Sequence, residues 1–497
     1  MSDLSTPTAQ PASGLAALEA RLRQDLQWLG LPARRWVPPQ DGVLDTAVIG
    51  GGMAGLAVAA SLTHLGIQSV LFDRAAAGFE GPWATTARME TLRSPKELTG
   101  PALGLPALTF RAWFESQFGG TAWEQMDKIP RLQWADYLRW YRQVLKLDVR
   151  NRQSVRNVQP RGDGTVQIEL TDDDNGRNYR VLARHVILAT GRDGLGGPWV
   201  PPWAQALPRA LWLHSGEDWN GEALRGLRVA VVGAGASAMD AAATALEHGA
   251  TRVDLLIRRR DLPRINKGKG AGSPGMAHGF WTLPDAWKWR FRRYINVQQV
   301  PPPHGSTLRV SRHANAHFHL GAAALGAQVR SDGALRVETA KGPLVTDRLI
   351  FCTGFRSNWA MRPEFRSFAP CVRLWRDRFA VAPQDADEEL ADAPDLGPNF
   401  EFQPKASVES STECPGLDRV HCFNYAATLS HGAATGDIPQ ITEGAQRLAR
   451  GIASRLLADD VPHHFQTMER YAEPELFGDE WQPAAFPAYE PGQDETK

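Results

Sequence analysis

Gly50, Gly52 and Gly55 form a G-x-G-x-x-G series within Thr46-Ala-Val-Ile-Gly-Gly-Gly-Met-Ala-Gly-Leu-Ala. Glycines at that spacing cradle phosphates. The first allows a tight turn, the second lets the backbone approach a pyrophosphate, and the third lets helix and strand pack closely. The helix that starts there offers unsatisfied N–H groups and a partial positive charge. An apolar strand precedes the glycines and an Ala- and Leu-rich helix follows them. A second strand, Ser69-Val-Leu-Phe, then ends in Asp73. A carboxylate about 20 residues past the glycines is placed to meet ribose hydroxyls, and it disfavours a 2′-phosphate. FAD or NAD therefore suits this unit better than NADP.

The arrangement recurs in Arg228-Val-Ala-Val-Val-Gly-Ala-Gly-Ala-Ser-Ala, with Gly233, Gly235 and Ala238 at the key positions and Ser237 at the helix opening. The next strand, Val253-Asp-Leu-Leu-Ile, ends in Arg258-Arg259-Arg260 where the first unit has its acid. Guanidinium groups bind phosphate in bidentate fashion, so the 2′-phosphate of NADP is the natural ligand. The plainer alternative is a solvated basic turn. Arg258 and Arg259 are the expected contacts, although spacing alone does not choose among the three. Two such units imply two dinucleotides, one held and one exchanging. Hydride transfer from NADPH to FAD is the economical reason to join them.

The remaining composition narrows the partners. A chain of 497 residues has room for two or three domains. Lys+Arg and Asp+Glu are both 55, so nothing suggests a nucleic-acid partner. Cys352, Cys371, Cys414 and Cys422 form no C-x-x-C pair, which argues against a zinc site and a redox dithiol. The first residues lack a basic flank followed by an apolar stretch, and no run approaches the ~20 apolar residues of a membrane span. A soluble, cytoplasmic protein is the expectation, with a homo-oligomer left open.

The elements that position these turns follow from pattern. Residues 1 to about 13 are expected to be unstructured, and Leu15 to Leu29 carries apolar residues at helical spacing. Helices are expected around 110–118 and 132–145, a β-meander over 147–182, and a further strand at Val186-Ile-Leu-Ala. A strand at 348–352, a helix near 443–457 and a polar tail from about 461 complete the reading. The fold class is α/β: an FAD-binding Rossmann-like domain with an inserted NADPH-binding Rossmann-like domain. The expected divisions are an N-terminal arm and helix (1–40), the FAD domain's first part (41–200), the NADPH domain (201–345), the FAD domain's second part (346–460) and the tail (461–497).

With these pieces in place, the chain resembles the flavin-dependent monooxygenases with two dinucleotide-binding domains, over about residues 44–456. That superfamily takes in flavin-containing, Baeyer–Villiger and N-hydroxylating enzymes. Glu80-Gly-Pro-Trp83 is similar to its G-G-x-W turn, and Met89 to Leu98 looks like the flavin-adjacent loop of the N-hydroxylating group. Pro130 to Trp140 resembles the helix after that loop. Ala189-Thr-Gly191 and Cys352-Thr-Gly-Phe355 resemble the two turns where the chain crosses between domains. Gly436-Asp437 resembles the late G-D motif whose acid contacts the FAD ribityl chain. Of the Baeyer–Villiger fingerprint, His214-Ser215 and Trp219 are present, but Pro208 and Ala210 replace Phe and Gly. The resemblance implies that NADPH reduces FAD, that O2 adds at flavin C4a, and that the resulting (hydro)peroxide oxygenates a small molecule. N-hydroxylation is favoured slightly over sulfur or carbonyl oxidation. Because the cofactor carries the chemistry, no catalytic base is assigned. The alternatives are an FAD-dependent NAD(P)H reductase or electron-transfer enzyme without oxygenation and, further off, a flavin-binding redox sensor.

Other features weigh less. His313 and His317 stand at i and i+4, the spacing of a helical metal pair, yet no carboxylate or cysteine accompanies them and His319 breaks the face. No metal is expected. His431-Gly432 reads as a turn near the flavin, Lys267-Gly-Lys-Gly as a phosphate contact or a mobile loop, and Trp281–Tyr294 as a pocket wall or domain interface.

Overall fold

The computed structural model describes residues 14–406 and 414–488. The stretch to residue 13, expected to be unstructured, lies outside the described residues.

The chain opens with α1 (Leu15–Trp28), which buries Leu18 and Leu22. Next come β1 (Val43–Ile49), α2 (Met53–His64) and β2 (Ser69–Phe72). Two helices follow: α3 (Phe110–Gln125), kinked at Gly119, and α4 (Arg131–Val144). Strands β3 (Asp148–Arg150), β4 (Gln153–Pro160), β5 (Val166–Asp172) and β6 (Asn178–Leu188) complete this part. β3 leaves the expected meander to pair in parallel with β2, and β4, β5 and β6 are antiparallel neighbours. The apolar Val186–Leu188 run is the end of β6, not a separate strand. β1 lies between β2 and β6, parallel to both, with Ile49 opposite Phe72 and Leu188. That register brings Gly50, Asp73 and Ala189 to one edge, at the C-terminal ends of the strands where α/β sheets bind ligands.

The chain then crosses over through β7 (Gly196–Pro198) and β8 (Trp212–His214) to β9 (Arg228–Val232), α5 (Ala236–Glu247) and β10 (Arg252–Ile257). A helical excursion holds α6 (Lys267–Gly270), α7 (Pro274–Gly279), α8 (Asp285–Gln298) and α9 (His304–Ser311). β11 (Ala316–Leu320) returns to the sheet, and β12 (Ala324–Val329), β13 (Leu335–Thr339) and β14 (Gly342–Thr346) form a small antiparallel layer. β15 (Arg348–Phe351) pairs with β9 and β8, so the second sheet runs β11-β10-β9-β15-β8. β15, just past the expected division at residue 345, lies beside β9 in the second sheet.

β16 (Phe355–Ser357) pairs with β7, which ties the outward and return crossings together. Short helices α10 (Trp375–Arg378) and α11 (Glu388–Ala391) precede β17 (Val420–Cys422), which adds to β6 in the first sheet. That return makes the first domain discontinuous. α12 (Thr428–His431) and α13 (Ile441–Asp459) follow, and α13 buries Ile441, Leu448, Ile452 and Leu456. The expected polar tail from residue 461 begins with a helix, α14 (Val461–Arg470). Pro462 sits in its first turn, where a missing N–H costs nothing.

The candidate dinucleotide sites and the crevice between them

In the first turn each glycine answers a measurable constraint. Gly50 has φ 110°, and a side-chain carbon there would lie 2.4 Å from the carbonyl oxygen of Ala189. One at Gly55 would lie 1.9 Å from the Gly50 carbonyl. Gly52 caps α2, whose first turn has no side-chain cap and no acidic residue. Its N–H groups are left for an anion. The Asp73 carboxylate accepts from the backbone N–H of Gly51 and of Ala75, both at 2.7 Å. A cradle of free N–H groups beside an oriented carboxylate fits the pyrophosphate and ribose of a dinucleotide. Gly81 closes over this turn, 3.5 Å from a carbon built on Gly52. The preceding Glu80 is held by Arg142 at 2.7 Å and Asn151 at 2.6 Å. The Trp83 ring meets Trp134 edge-on at 6.4 Å, and its carbonyl accepts from Arg131. Asp437 follows Gly436 just ahead of α13, and its carboxylate has no hydrogen bond among the described residues.

The second turn is looser. Gly233 has φ 145°, and a carbon on it would meet the Cys352 carbonyl at 2.7 Å. Gly235 caps α5 with nothing within 4 Å of where a side chain would stand. Ser237 is exposed at the helix opening, and Ala238 is fully buried. Arg258 and Arg260 are exposed, and neither has an ion pair among the described residues, which suits a phosphate partner. Arg259 instead donates to the Val297 carbonyl, at the end of α8. Burial pushes the Cys352 thiol up to about 12, so it stays protonated beside the turn.

Between the turns, the loop resembling a flavin-adjacent segment is clamped to the inserted domain. The Arg88 guanidinium donates to the carbonyls of Glu217 at 2.9 Å, Trp219 at 3.1 Å and Ser215 at 3.3 Å. It also lies 3.7 Å from the centre of the Trp219 ring. Burial lowers its pKa to about 10, so it remains a cation at neutral pH. Arg309 of α9 donates to the Arg88 carbonyl and to Glu247 of α5. Asp240, also on α5, accepts from Ser306 at 2.7 Å, and burial raises its pKa. None of these residues belongs to a local motif, and only the fold brings them together.

The histidines resolve differently from a metal pair. His313 lies in the turn after α9 and His317 on β11, so the two share no helix face. His319 bonds Asp254 at 2.7 Å. His431 is buried, donates from Nε2 to the Gly397 carbonyl at 3.0 Å, and stacks on Phe400 at 3.9 Å. Burial first, then the Arg447 charge, holds its pKa well below the usual range, as befits a packed neutral ring. Lys267–Gly270 is one helical turn capped by Asn266. Trp289 of α8 is buried in a hydrophobic cluster with Trp375 and Leu429, its Nε1 donating to the Asp385 carbonyl at 3.0 Å.

Two glycine-rich turns on separate sheets, the first mixed and the second parallel, with one domain inserted in the other, are the arrangement of a flavoprotein of the two-dinucleotide-domain class. The family model described as L-lysine 6-monooxygenase/L-ornithine 5-monooxygenase matches residues 118–296. The FAD-dependent urate hydroxylase of Xanthomonas campestris pv. campestris is 37% identical over 477 residues, covering 94% of this chain and 98% of that protein. Among solved structures, the ornithine hydroxylase of Pseudomonas aeruginosa has a TM-score of 0.64 at 15% identity, covering 83% of this chain and 100% of its own. The ornithine N-hydroxylase of Kutzneria sp. 744 has a TM-score of 0.63 at 16% identity, covering 83% and 99%. The structures establish the shared fold. Identity along nearly the whole of both sequences goes further: the chain belongs to the FAD-dependent monooxygenase family of the Xanthomonas protein.

Proposed function

We propose that this chain is an NADPH- and O2-dependent FAD monooxygenase that hydroxylates urate or a closely similar planar, nitrogen-rich ring. The match to the Xanthomonas FAD-dependent urate hydroxylase carries the reading, because it spans 94% of this chain and 98% of that protein. Family membership also favours oxygenation over the reductase alternative. The cofactors are FAD and NADPH. Bound together, they supply a hydride from NADPH and a reduced flavin that activates O2, one oxygen atom entering the substrate and the other leaving as water.

The protein's part is to bind, orient and exclude water. Gly50, Gly52 and Gly55 admit the FAD pyrophosphate, Asp73 takes the ribose hydroxyls, Trp83 covers the flavin side, and Asp437 meets the ribityl chain. Gly233, Gly235 and Ser237 admit the NADPH pyrophosphate. Arg258 and Arg259 take the 2′-phosphate, Arg259 by leaving the Val297 carbonyl. Arg88 keeps the loop beside the flavin docked on the inserted domain, which limits water at the reacting face. A cytoplasmic setting and the absence of a nucleic-acid partner are part of the same reading, supported by unpaired thiols and balanced charge.

Amine N-hydroxylation is the second reading, supported by the lysine/ornithine family model over residues 118–296. A substrate panel separates the two. NADPH and O2 consumption are followed with urate, L-ornithine and L-lysine, alongside hydrogen peroxide release. Urate-stimulated NADPH use without matching peroxide is expected. Stimulation and coupling confined to the amino acids would overturn the urate reading.

A further inference from the structure

Beside the first crossing lies a cavity of about 500 Å3, open mouth included, lined in part by Arg192, Arg292, Phe355, Arg356, Glu389 and Tyr425. Five parts of the chain supply these groups, Tyr425 coming from the short turn ahead of α12. Arg192 directly follows the Thr190-Gly191 turn, Arg292 comes from α8, Arg356 from β16, and Glu389 from α11. Among the described residues none of the three arginines has an ion pair or a side-chain hydrogen bond, and the buried Nε of Arg292 has no partner. Arg309 and Arg419, at other inter-element junctions, are paired with Glu247 and Asp459, whereas Arg447 of α13 is unpaired like the cavity arginines. Glu389 feels the charge of all three, which opposes the rise that burial brings to its pKa, yet it closes on none of them.

The cavity's surfaces are flat as well as charged. The Arg192 guanidinium lies 4.6 Å from the Tyr425 ring centre and 6.0 Å from that of Phe355. Arg356 lies 4.5 Å from the ring centre of Trp199. A guanidinium held over an aromatic face keeps its edge donors free. The wall is continuous with the crossing. Tyr425 N–H donates to the Gly191 carbonyl at 3.2 Å, and Asn424 donates to the Leu188 carbonyl and Thr190 Oγ1, both at 3.1 Å. Thr435 in turn donates to the Asn424 carbonyl at 2.7 Å, two residues before Asp437.

We propose that this cavity is the substrate site and takes a planar anion with delocalised charge. The ring stacks on the Tyr425–Arg192 wall, its oxygens meet the free donors of Arg292 and Arg356, and Glu389 accepts from a ring N–H. Urate, a flat monoanion at neutral pH with both carbonyl oxygens and N–H groups, has this complement of groups. An amino acid such as ornithine would instead bring its ammonium groups against the three guanidiniums and has no flat ring to stack on the Tyr425–Arg192 wall. The assignment rests on the urate reading above and deepens it.

The experiment uses the FAD-loaded enzyme in two arms. Urate binding to the oxidised enzyme without NADPH is measured by calorimetry, and urate-dependent NADPH consumption gives KM and kcat. Both are measured for the wild type and for Arg292→Gln, Arg356→Gln, Arg356→Lys and Glu389→Gln, with FAD content and circular dichroism recorded for each. Loss of a charge-assisted pair corresponds to about tenfold weaker binding or more. The two Arg→Gln variants should therefore raise Kd and KM by about that factor, with kcat nearly unchanged and FAD retained, and Arg356→Lys should recover part of the loss. Wild-type turnover of urate with all variants unchanged would overturn the site and leave the function standing. Saturable urate binding lost in the variants, but without turnover in the wild type, would keep the site and overturn the function. No urate binding by the wild type would overturn both.

Discussion

The two glycine-rich turns share a plan and differ in how tightly they are closed. At the first, all three glycines are required or covered, since Gly55 backs onto Gly50 and Gly81 lies over Gly52. At the second, Ala238 already carries a side chain and the space beyond Gly235 is open. One ends its second strand in a carboxylate turned back on its own backbone, the other in Arg258 and Arg260 free in solvent. A covered turn suits a resident cofactor and an open, cationic one suits a nucleotide that comes and goes. The same motif thus yields a prosthetic site or a co-substrate site according to what packs over it.

Substitutions that exchange these properties test the contrast. The largest effect is expected at Gly55→Val, where the new side chain has 1.9 Å to the Gly50 carbonyl. The cost should exceed about 3 kcal/mol and leave little folded, yellow protein in expression and absorbance measurements. Gly52→Ala clears the protein atoms, so the chain should fold normally but bind FAD about tenfold to a hundredfold more weakly by apoprotein reconstitution. Converting Arg258 and Arg259 together to Gln should raise the KM for NADPH by about tenfold to a hundredfold and leave NADH nearly untouched. Equal losses for both nucleotides would remove the 2′-phosphate assignment. Asp73→Asn should weaken FAD by roughly 1–2 kcal/mol in the same reconstitution titration. The smallest expected effect is Gly235→Ala, which has open space and should change NADPH binding less than Gly52→Ala changes FAD binding.

A pH measurement sharpens the same comparison, because the first sheet carries a buried histidine pair. His185 and His421 are 3.0 Å apart where β17 joins β6, and burial is the main cause lowering both, His421 to about 4. Their neutral forms are favoured in the folded state and protonation is easier in the unfolded one. Stability should therefore be full above the ordinary histidine value of 6.5 and fall as pH drops from there towards about 4. Replacing His421 by Gln should flatten that slope in denaturant titrations at pH 7 and pH 5.

Both βαβ units were legible in the sequence because their signals are local: an apolar strand, three spaced glycines, a small-residue helix, and a charged residue at the next strand end. The clamp was not. Arg88 meets Ser215 at a separation of 127 residues, and Arg309 meets Arg88 at 221, distances over which no spacing rule operates. The place of the strand after residue 345 has the same cause. The Arg348–Phe351 run reads as a buried parallel strand in either domain, and only its pairing with β9 decides. His313 and His317 had helical spacing but lie on a turn and a strand, since the β-branched and apolar context of the second sheet recruits Ala316–Leu320 as an edge. Helix α14 was missed because its apolar residues, Val461, Phe465 and Met468, are few, exposed and flanked by polar sequence.

Oxygen isotope incorporation tests the central claim most directly. The FAD-loaded enzyme is supplied with NADPH and urate under 18O2, and product and water are analysed by mass spectrometry. One labelled oxygen in the product and one in water for each NADPH consumed is the expected outcome. Unlabelled substrate recovered intact, with the label in hydrogen peroxide, would contradict the assignment of this chain as a urate-class monooxygenase.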